Sequence, residues 1–212
     1  MLLLLLLKRG LFTIGVAALV YAGFLFASAD IRQRYEMVKF DRALTQPPRF
    51  STAPVLPGGP IAKLNIPSVG ISAIILEGVD DRTLDVAPGH IPGTALPGEN
   101  GNVGVAAHRD TFFRKLQTIR DGDLVTLTTF EGVYHYTVES TEVVEPTRTD
   151  VLAPSGSPTL TLVTCYPFHM VGPAPKRFIV RGRFIQGETL SAAKQGMGSE
   201  QPAEQTVSPA LP

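Results

Sequence analysis

The sequence contains a single cysteine and no excess of charge of either sign. Because Cys165 is alone among 212 residues, no intramolecular disulfide can form and no zinc site can be built from several cysteines. Lys plus Arg number 19, as do Asp plus Glu, so the formal net charge is zero. This balance argues against a nucleic-acid-binding protein, which needs a basic surface. The length fits one domain with extensions at its ends.

Glycine and proline are abundant, and they favour many turns over long helices. The chain has 20 glycines and 18 prolines, about 18% of its residues against roughly 12% in average proteins. Short runs that are alternating or rich in β-branched residues lie between these turn residues and predict strands. They cover residues 61–66, 71–76, 102–107, 124–129, 133–139, 159–164 and 178–185. The pattern predicts an all-β barrel or sandwich of seven or eight strands, with helical turns near 80–85 and 111–119.

An uncharged apolar run near the amino terminus predicts a membrane anchor. Residues 11–27 form 17 consecutive uncharged positions preceded by Lys8 and Arg9. As a helix, residues 11–29 would cover about 28 Å, close to the hydrocarbon thickness of a bilayer. A cleaved signal peptide is the alternative, since residues 27–29 read A-S-A. We favour the anchor because secretory apolar regions usually run about 7–15 residues. Both interpretations place residues 30–212 outside the cytoplasm.

Composition divides the chain into four segments. Residues 1–29 are the predicted anchor and residues 30–60 an extracytoplasmic spacer, in which five prolines fall within 46–60. Residues 61–186 are the predicted folded body. Residues 187–212 are small and polar with little to bury, which predicts a disordered tail.

Cys165 and His108 are the side chains best placed for chemistry, since each follows a predicted apolar strand. A cysteine nucleophile needs a neighbouring base or cation, because an isolated thiol is mostly protonated at neutral pH. His108 precedes Cys165 by 57 residues, the reverse of the papain order, and the caspase signature is absent. The histidines form no metal-binding motif. The alternative is a non-catalytic binding barrel in which Cys165 is a small buried hydrophobe.

Cys165 and His108 each stand in a short motif. Residues 161–165 read T-L-V-T-C, and residues 106–109 read A-A-H-R. They resemble the T-L-x-T-C signature and the A-G-H-R segment of the sortases, a family of cell-surface cysteine transpeptidases. Arg177 stands where the family has an essential arginine. The three matches occur in the family's order across roughly residues 60–185. The continuation C-Y-P-F after the signature most resembles class D sortases.

The resemblance implies an eight-stranded sortase-type β-barrel and a defined set of site residues. Cys165 would cleave an LPxTG-type sorting signal after its threonine through a thioacyl intermediate. His108 would be the general acid and base, and Arg177 would stabilise the oxyanion. Thr164 and Tyr166 would bind substrate.

The resemblance also implies the partners. These are surface proteins that carry a C-terminal LPxTG-like signal, an amine acceptor of the cell envelope and the membrane through residues 11–29; no metal and no cofactor are implied. The loops at 140–157 and 166–175 would border the substrate groove. A sorting-signal protease that uses water as the acceptor is the nearest alternative function.

Overall fold

Eight strands form the folded body that follows the amino-terminal helix. The computed structural model describes residues 2–45, 56–170 and 172–189. Helix α1 spans Leu2–Thr45 and the short helix α2 spans Asp81–Leu84, while 3-10 turns cover Pro67–Val69, Arg114–Thr118 and Thr149–Leu152. The strands are β1 Pro60–Ile66, β2 Ile71–Glu77, β3 Gly89–His90, β4 Asn102–Ala106, β5 Leu124–Thr128, β6 Gly132–Val144, β7 Thr159–Tyr166 and β8 Lys176–Thr189.

The strands close into a barrel in the order β1-β2-β3-β4-β7-β8-β6-β5, and pairing of β1 with β5 completes the circle. Most neighbours are antiparallel, but β2 pairs with β3 in parallel and so does β4 with β7. The β4–β7 pair joins strands that lie far apart in the sequence, so it brings two distant chain segments to one edge of the barrel.

Alternating side chains of these strands fill the barrel interior. Leu160 and Leu162 on β7 are each only 1% exposed, and Val103 and Val105 on β4 are equally buried. Phe113, from the segment after β4, is also fully buried and joins the same cluster. Full burial of one such side chain stabilises the fold by about 1.5–3 kcal/mol. The tightly packed interior fixes the positions at which β4 and β7 end.

Helix α1 contacts the outside of the barrel through its carboxyl-terminal half. The Gln33 side chain is buried, accepts a hydrogen bond from Ile74 N at 3.1 Å and donates one to Val86 O at 2.7 Å. Asp41 forms an ion pair with Lys63 at 2.9 Å. Nowhere in the described part of the chain is a helix both long and apolar enough to cross a membrane.

The structure confirms the predicted all-β architecture and all seven predicted strands. It adds β3, a strand of two residues that no sequence pattern indicated. It also extends β6 to Val144, so the first five residues of the predicted 140–157 loop belong to a strand. Polar residues at 139–142 interrupt the apolar alternation, which concealed the pairing of residues 140–144 with β8.

The folded body extends slightly beyond its predicted limits of 61 and 186 at both ends. Strand β1 begins at Pro60 and β8 ends at Thr189, three residues beyond the predicted limit of 186. Residues 30–45 of the predicted spacer belong to α1. The proline-rich residues 46–55 and the tail from 190 to 212 lie outside the described residues.

Candidate active site

Cys165 and Arg177 face each other across two neighbouring strands. They are directly paired in the antiparallel β7–β8 register, which brings their Cα atoms to about 5 Å. Cys165 is a free thiol of intermediate exposure. The Arg177 guanidinium contacts two carbonyls of its own segment, Ala174 O at 3.4 Å and Lys176 O at 3.1 Å. Because directly paired residues project from the same face of a sheet, the partly buried Arg177 side chain and the Cys165 thiol lie on one face of the β7–β8 pair.

His108 lies on the other side of Cys165 because β4 runs parallel to β7. Ala106 is paired with Val163, and Ala107 N donates a hydrogen bond to Val163 O at 3.2 Å. In this register the residues two positions beyond this pair, His108 and Cys165, lie at the same edge of the barrel. The three predicted catalytic residues therefore come together at the ends of three adjacent strands.

The exposure and charge of this edge suit attack on an extended substrate. The His108 side chain is 39% exposed, so its imidazole can exchange protons with a bound molecule. A thiol between an imidazole and a guanidinium has a base on one side and a donor for a developing oxyanion on the other. The arrangement can therefore support nucleophilic acyl transfer.

Thr164 and Tyr166, the predicted substrate-binding residues, flank Cys165 in different surroundings. Thr164 is buried, and its hydroxyl donates to Ala107 O at 2.7 Å. Tyr166 is half-buried in an aromatic cluster, stacked on Phe178 with ring centroids 6.5 Å apart and edge-on to Phe168 at 6.0 Å. Contact of either residue with substrate stays a prediction.

Asp85 is a neighbour of His108 that the sequence did not indicate. It caps the carboxyl end of α2, and its Oδ1 lies 3.8 Å from His108 Nε2. The carboxylate is 71% exposed, so water screens the pair and its contribution is at most about 1 kcal/mol. At this separation the carboxylate is a nearby charge rather than a hydrogen-bond partner of the imidazole.

Arg109 is a second residue beside the site to which the sequence assigned no role. It is buried, and its guanidinium donates to three carbonyls of the β7–β8 connection: Pro167 O at 3.0 Å, Met170 O at 2.8 Å and Gly172 O at 2.6 Å. The connection that begins just after Cys165 is therefore held by the residue just after His108.

Two other histidines, His90 and His135, have partners within the barrel. His90 is buried on β3, where its Nδ1 lies 2.6 Å from Glu77 Oε2 and its Nε2 lies 3.0 Å from Ala95 O. His135 pairs with Thr126 across β5 and β6 at 3.1 Å. Among the described residues, no three His, Cys, Asp or Glu side chains cluster as metal ligands would.

Comparison with known proteins agrees with this geometry. The sequence model of the sortase domain matches residues 64–185, more than half of the chain. The chain belongs to the sortase family. The sortases are transpeptidase enzymes, and the predicted resemblance is confirmed.

Individual sortases confirm the similarity to class D as well. Sortase D of Bacillus subtilis (strain 168) is 36% identical over 123 residues, which are 58% of this chain and 62% of that protein. Sortase A of Listeria monocytogenes is 26% identical over 135 residues, 62% of this chain and 59% of that protein. This chain therefore matches about three fifths of the length of these curated sortases.

A solved structure shows the same fold. A class D sortase transpeptidase of Clostridium perfringens superimposes with a TM-score of 0.66 at 27% identity, and the match covers 76% of this chain and 99% of that one. The eight-stranded closed barrel described above is thus the sortase fold.

Proposed function

We propose that this sortase is a membrane-anchored cysteine transpeptidase that cleaves an LPxTG-type sorting signal after its threonine and transfers the new acyl end to an amine. The observation that carries the proposal is the register of three adjacent strands, in which β4 leads to His108, β7 holds Cys165 and β8 holds Arg177. Membership of the sortase family supports the reaction type.

In the first half-reaction, the Cys165 thiolate attacks the threonine carbonyl carbon and forms a C–S bond. The carbonyl oxygen takes the negative charge, which the neighbouring Arg177 guanidinium stabilises. The peptide C–N bond then breaks, and the leaving amine takes a proton from the His108 imidazolium. The products are a thioester on Cys165 and the free carboxyl-terminal fragment.

In the second half-reaction, an amine attacks the thioester carbonyl and gives its proton to the now neutral His108. The C–S bond breaks and the electron pair returns to sulfur, which restores the thiolate beside an imidazolium. With water in place of the amine, the same steps yield a carboxylic acid. The acceptor therefore separates a transpeptidase from a protease.

Anchoring through residues 11–29 is supported by the sequence and by the large apolar side chains of α1. Leu11, Phe12 and Leu19 are each 73–75% exposed, which is unfavourable in water and favourable in lipid. Residues 22 and 25–29 of the run lie outside the described side chains. An anchor would hold the enzyme beside substrates retained in the same membrane, which raises their effective concentration.

Flotation of the full chain with liposomes tests the anchor. Replacement of both Val16 and Val20 by Arg should release the chain from the vesicles, because an arginine near the centre of a spanning helix costs about 2.5–3.5 kcal/mol. Flotation that survives both charges would contradict membrane insertion of this run.

Mass spectrometry tests the reaction. The full chain in detergent micelles, incubated with an LPxTG-type peptide, should carry a threonine-linked acyl adduct on Cys165, and added hydroxylamine should appear in the product. Cys165→Ala should abolish adduct and cleavage while the circular dichroism spectrum is unchanged. Cleavage by the folded Cys165→Ala variant would refute the proposal. A carboxylic acid product alone, formed by attack of water, would identify a protease. Peptide binding without an adduct would identify a binding barrel.

A further inference from the structure

His108 is held between two hydrogen-bonded attachments that lead to the two sides of Cys165. On one side, Ala107 O accepts from the hydroxyl of Thr164, the residue before Cys165. On the other side, the Arg109 guanidinium donates to carbonyls of the connection that follows Cys165. The immediate neighbours of the base are thus tied to the immediate surroundings of the nucleophile.

Arg109 is buried and binds a distant segment, whereas the Arg177 guanidinium contacts carbonyls of its own segment. Arg109 is 9% exposed, and its three contacts are carbonyl oxygens. Arg148, in contrast, pairs with the carboxylate of Asp150 at the surface, where both side chains are more than half exposed. A buried cation needs several good acceptors to offset its desolvation. Three carbonyls of one connection, converging on one guanidinium, satisfy this need and fix the path of that connection.

Arginine suits this task because its donors form a planar fork. Nη1 binds Pro167 O while Nη2 binds both Met170 O and Gly172 O, and a charged donor makes each of these bonds stronger than a neutral one. Lysine would bring a single ammonium group to the same place and could not reproduce the fork.

The contacts also span the segment that leads from the nucleophile to the oxyanion donor. Pro167 lies two residues after Cys165, and Gly172 lies five residues before Arg177. One side chain, next to the base, therefore touches the connection between the other two catalytic residues. A shift of this connection would change the distances among all three.

We propose that Arg109 is a positioning residue of the active site, which sets the geometry of His108, Cys165 and Arg177 by holding the β7–β8 connection against the segment that carries the base. This inference rests on the proposed function. Misplacement of reacting groups by about 1 Å can cost about a hundredfold in rate. Loss of the fork should therefore lower kcat far more than it changes KM.

The test uses the full chain in micelles and compares Arg109→Met, Arg109→Lys and the control Arg114→Met. Arg114 is exposed on the following 3-10 turn, so its change removes the same charge away from the connection. We expect Arg109→Met to lower kcat by about a hundredfold with KM within about threefold. Arg109→Lys should recover about tenfold of this loss, and Arg114→Met should match the wild type.

A second readout needs no sorting signal. The alkylation rate of Cys165 by iodoacetamide, measured from pH 5 to pH 9, reports thiolate supported by the neighbouring base. We expect the wild-type profile to differ from that of His108→Ala, and the Arg109→Met profile to approach that of His108→Ala. A merely structural role of Arg109 would lower the melting temperature and leave this profile and kcat of the folded variant unchanged.

Gly172→Ala provides an independent perturbation of the same contact. Gly172 has a φ of +95° and open space around its Cβ position, so alanine strains the backbone that presents the carbonyl without a steric collision. We expect a loss of kcat of three- to tenfold in the wild type and none in the Arg109→Met background, where the contact is already gone. If Arg109→Met does not fold, Arg109→Lys and Gly172→Ala decide the question.

The outcomes separate the two proposals. A wild-type alkylation profile identical to that of His108→Ala would overturn the proposed function and this inference with it. A His108-dependent profile that Arg109→Met retains, with kcat within threefold of the wild type, would overturn the positioning role alone. Equal losses of kcat from Gly172→Ala in both backgrounds would also overturn it.

Discussion

Thr164 connects the strand of the nucleophile to the segment of the base through one buried hydrogen bond to Ala107 O. Thr164→Val is nearly isosteric but leaves that carbonyl without its donor. We expect the free energy of unfolding to fall by about 1–3 kcal/mol and kcat to fall with it, because His108 follows Ala107 directly. Urea denaturation and steady-state kinetics measure the two effects.

Thr164→Ser is the matched control, since it keeps the hydroxyl and loses only a methyl group. Its kcat should stay near that of the wild type, and the lost buried methyl group should lower the free energy of unfolding by about 0.8 kcal/mol. A Thr164→Val variant as stable and as active as Thr164→Ser would show that the hydrogen bond contributes to neither.

The catalytic residues could be predicted from the sequence because each lies in or near a short motif. His108, Cys165 and Arg177 were predicted from short segments that resemble a family, and the structure brings them to one edge of the barrel. The contacts of Arg109 and Asp85 could not be predicted, because they depend on which distant carbonyl or ring each side chain meets. Pro167 lies 58 residues from Arg109 along the chain, and no local pattern encodes that pairing.

At the scale of elements, alternation of side chains predicted the longer strands and failed for β3. Two residues, Gly89 and His90, cannot show a period, yet they join β2 to β4 in the barrel. A Cβ atom on Gly89 would collide with Gly78 O and lie 3.2 Å from Leu84 Cδ2. Glycine is therefore required here by close approach of the backbone, which becomes apparent only in the fold.

Gly89→Ala tests the importance of this junction. The collision with backbone cannot be relieved by rotation of a side chain, so we expect a loss of about 2–3 kcal/mol in the free energy of unfolding. Urea denaturation gives the value. Gly156→Ala is the control, because nothing lies within 4 Å of a Cβ at that position. A Gly89→Ala variant as stable as Gly156→Ala would contradict the close approach at β3.

One buried side chain, Gln33, holds helix α1 against the barrel. The Gln33 amide both accepts from Ile74 N and donates to Val86 O, so it contacts β2 and the segment after α2 together. Val86 directly follows Asp85, the neighbour of His108. The amino-terminal helix is therefore linked to the surroundings of the base through two consecutive residues.

For the whole molecule, the barrel interior sets the response to alkaline pH. Tyr136 is fully buried, and its hydroxyl has no hydrogen-bond partner among the described residues. Burial raises the pKa of Tyr136 to about 12, with a smaller contribution from Tyr134. Below pH 10 the phenol is neutral in both the folded and the unfolded chain, so its ionisation does not lower the free energy of unfolding.

Between pH 10 and pH 12 the unfolded chain ionises at this residue while the folded chain does not. Stability should therefore fall as pH rises, by up to about 1.4 kcal/mol per pH unit from this group. Tyr136→Phe removes this contribution, and at neutral pH it should stabilise the barrel by about 1 kcal/mol because a buried unpaired hydroxyl is lost. Thermal unfolding from pH 7 to pH 12 measures both effects. Identical alkaline slopes for the two proteins would contradict the assignment to Tyr136.

Strand composition predicted an all-β barrel or sandwich but not the order of strands in it. That order depends on the parallel β4–β7 pair, whose strands are separated along the chain by β5 and β6. Parallel strands need a long crossover, and alternation within each strand carries no information about its neighbour. The position of His108 beside Cys165 follows from this pairing, so only the fold reveals why the two short segments belong together.

The same crossover determines when the protein becomes reactive as it folds. Hairpins such as β1–β2 and β5–β6 pair residues that are close in the chain and can form early, whereas long-range parallel pairing is slow. The thiol and its base therefore stay apart while the polypeptide is synthesised and folds, and they meet when β7 docks beside β4. The nucleophile therefore gains its base through the long-range pairing of β4 with β7, and a chain in which this pair has not formed holds a cysteine without a neighbouring histidine.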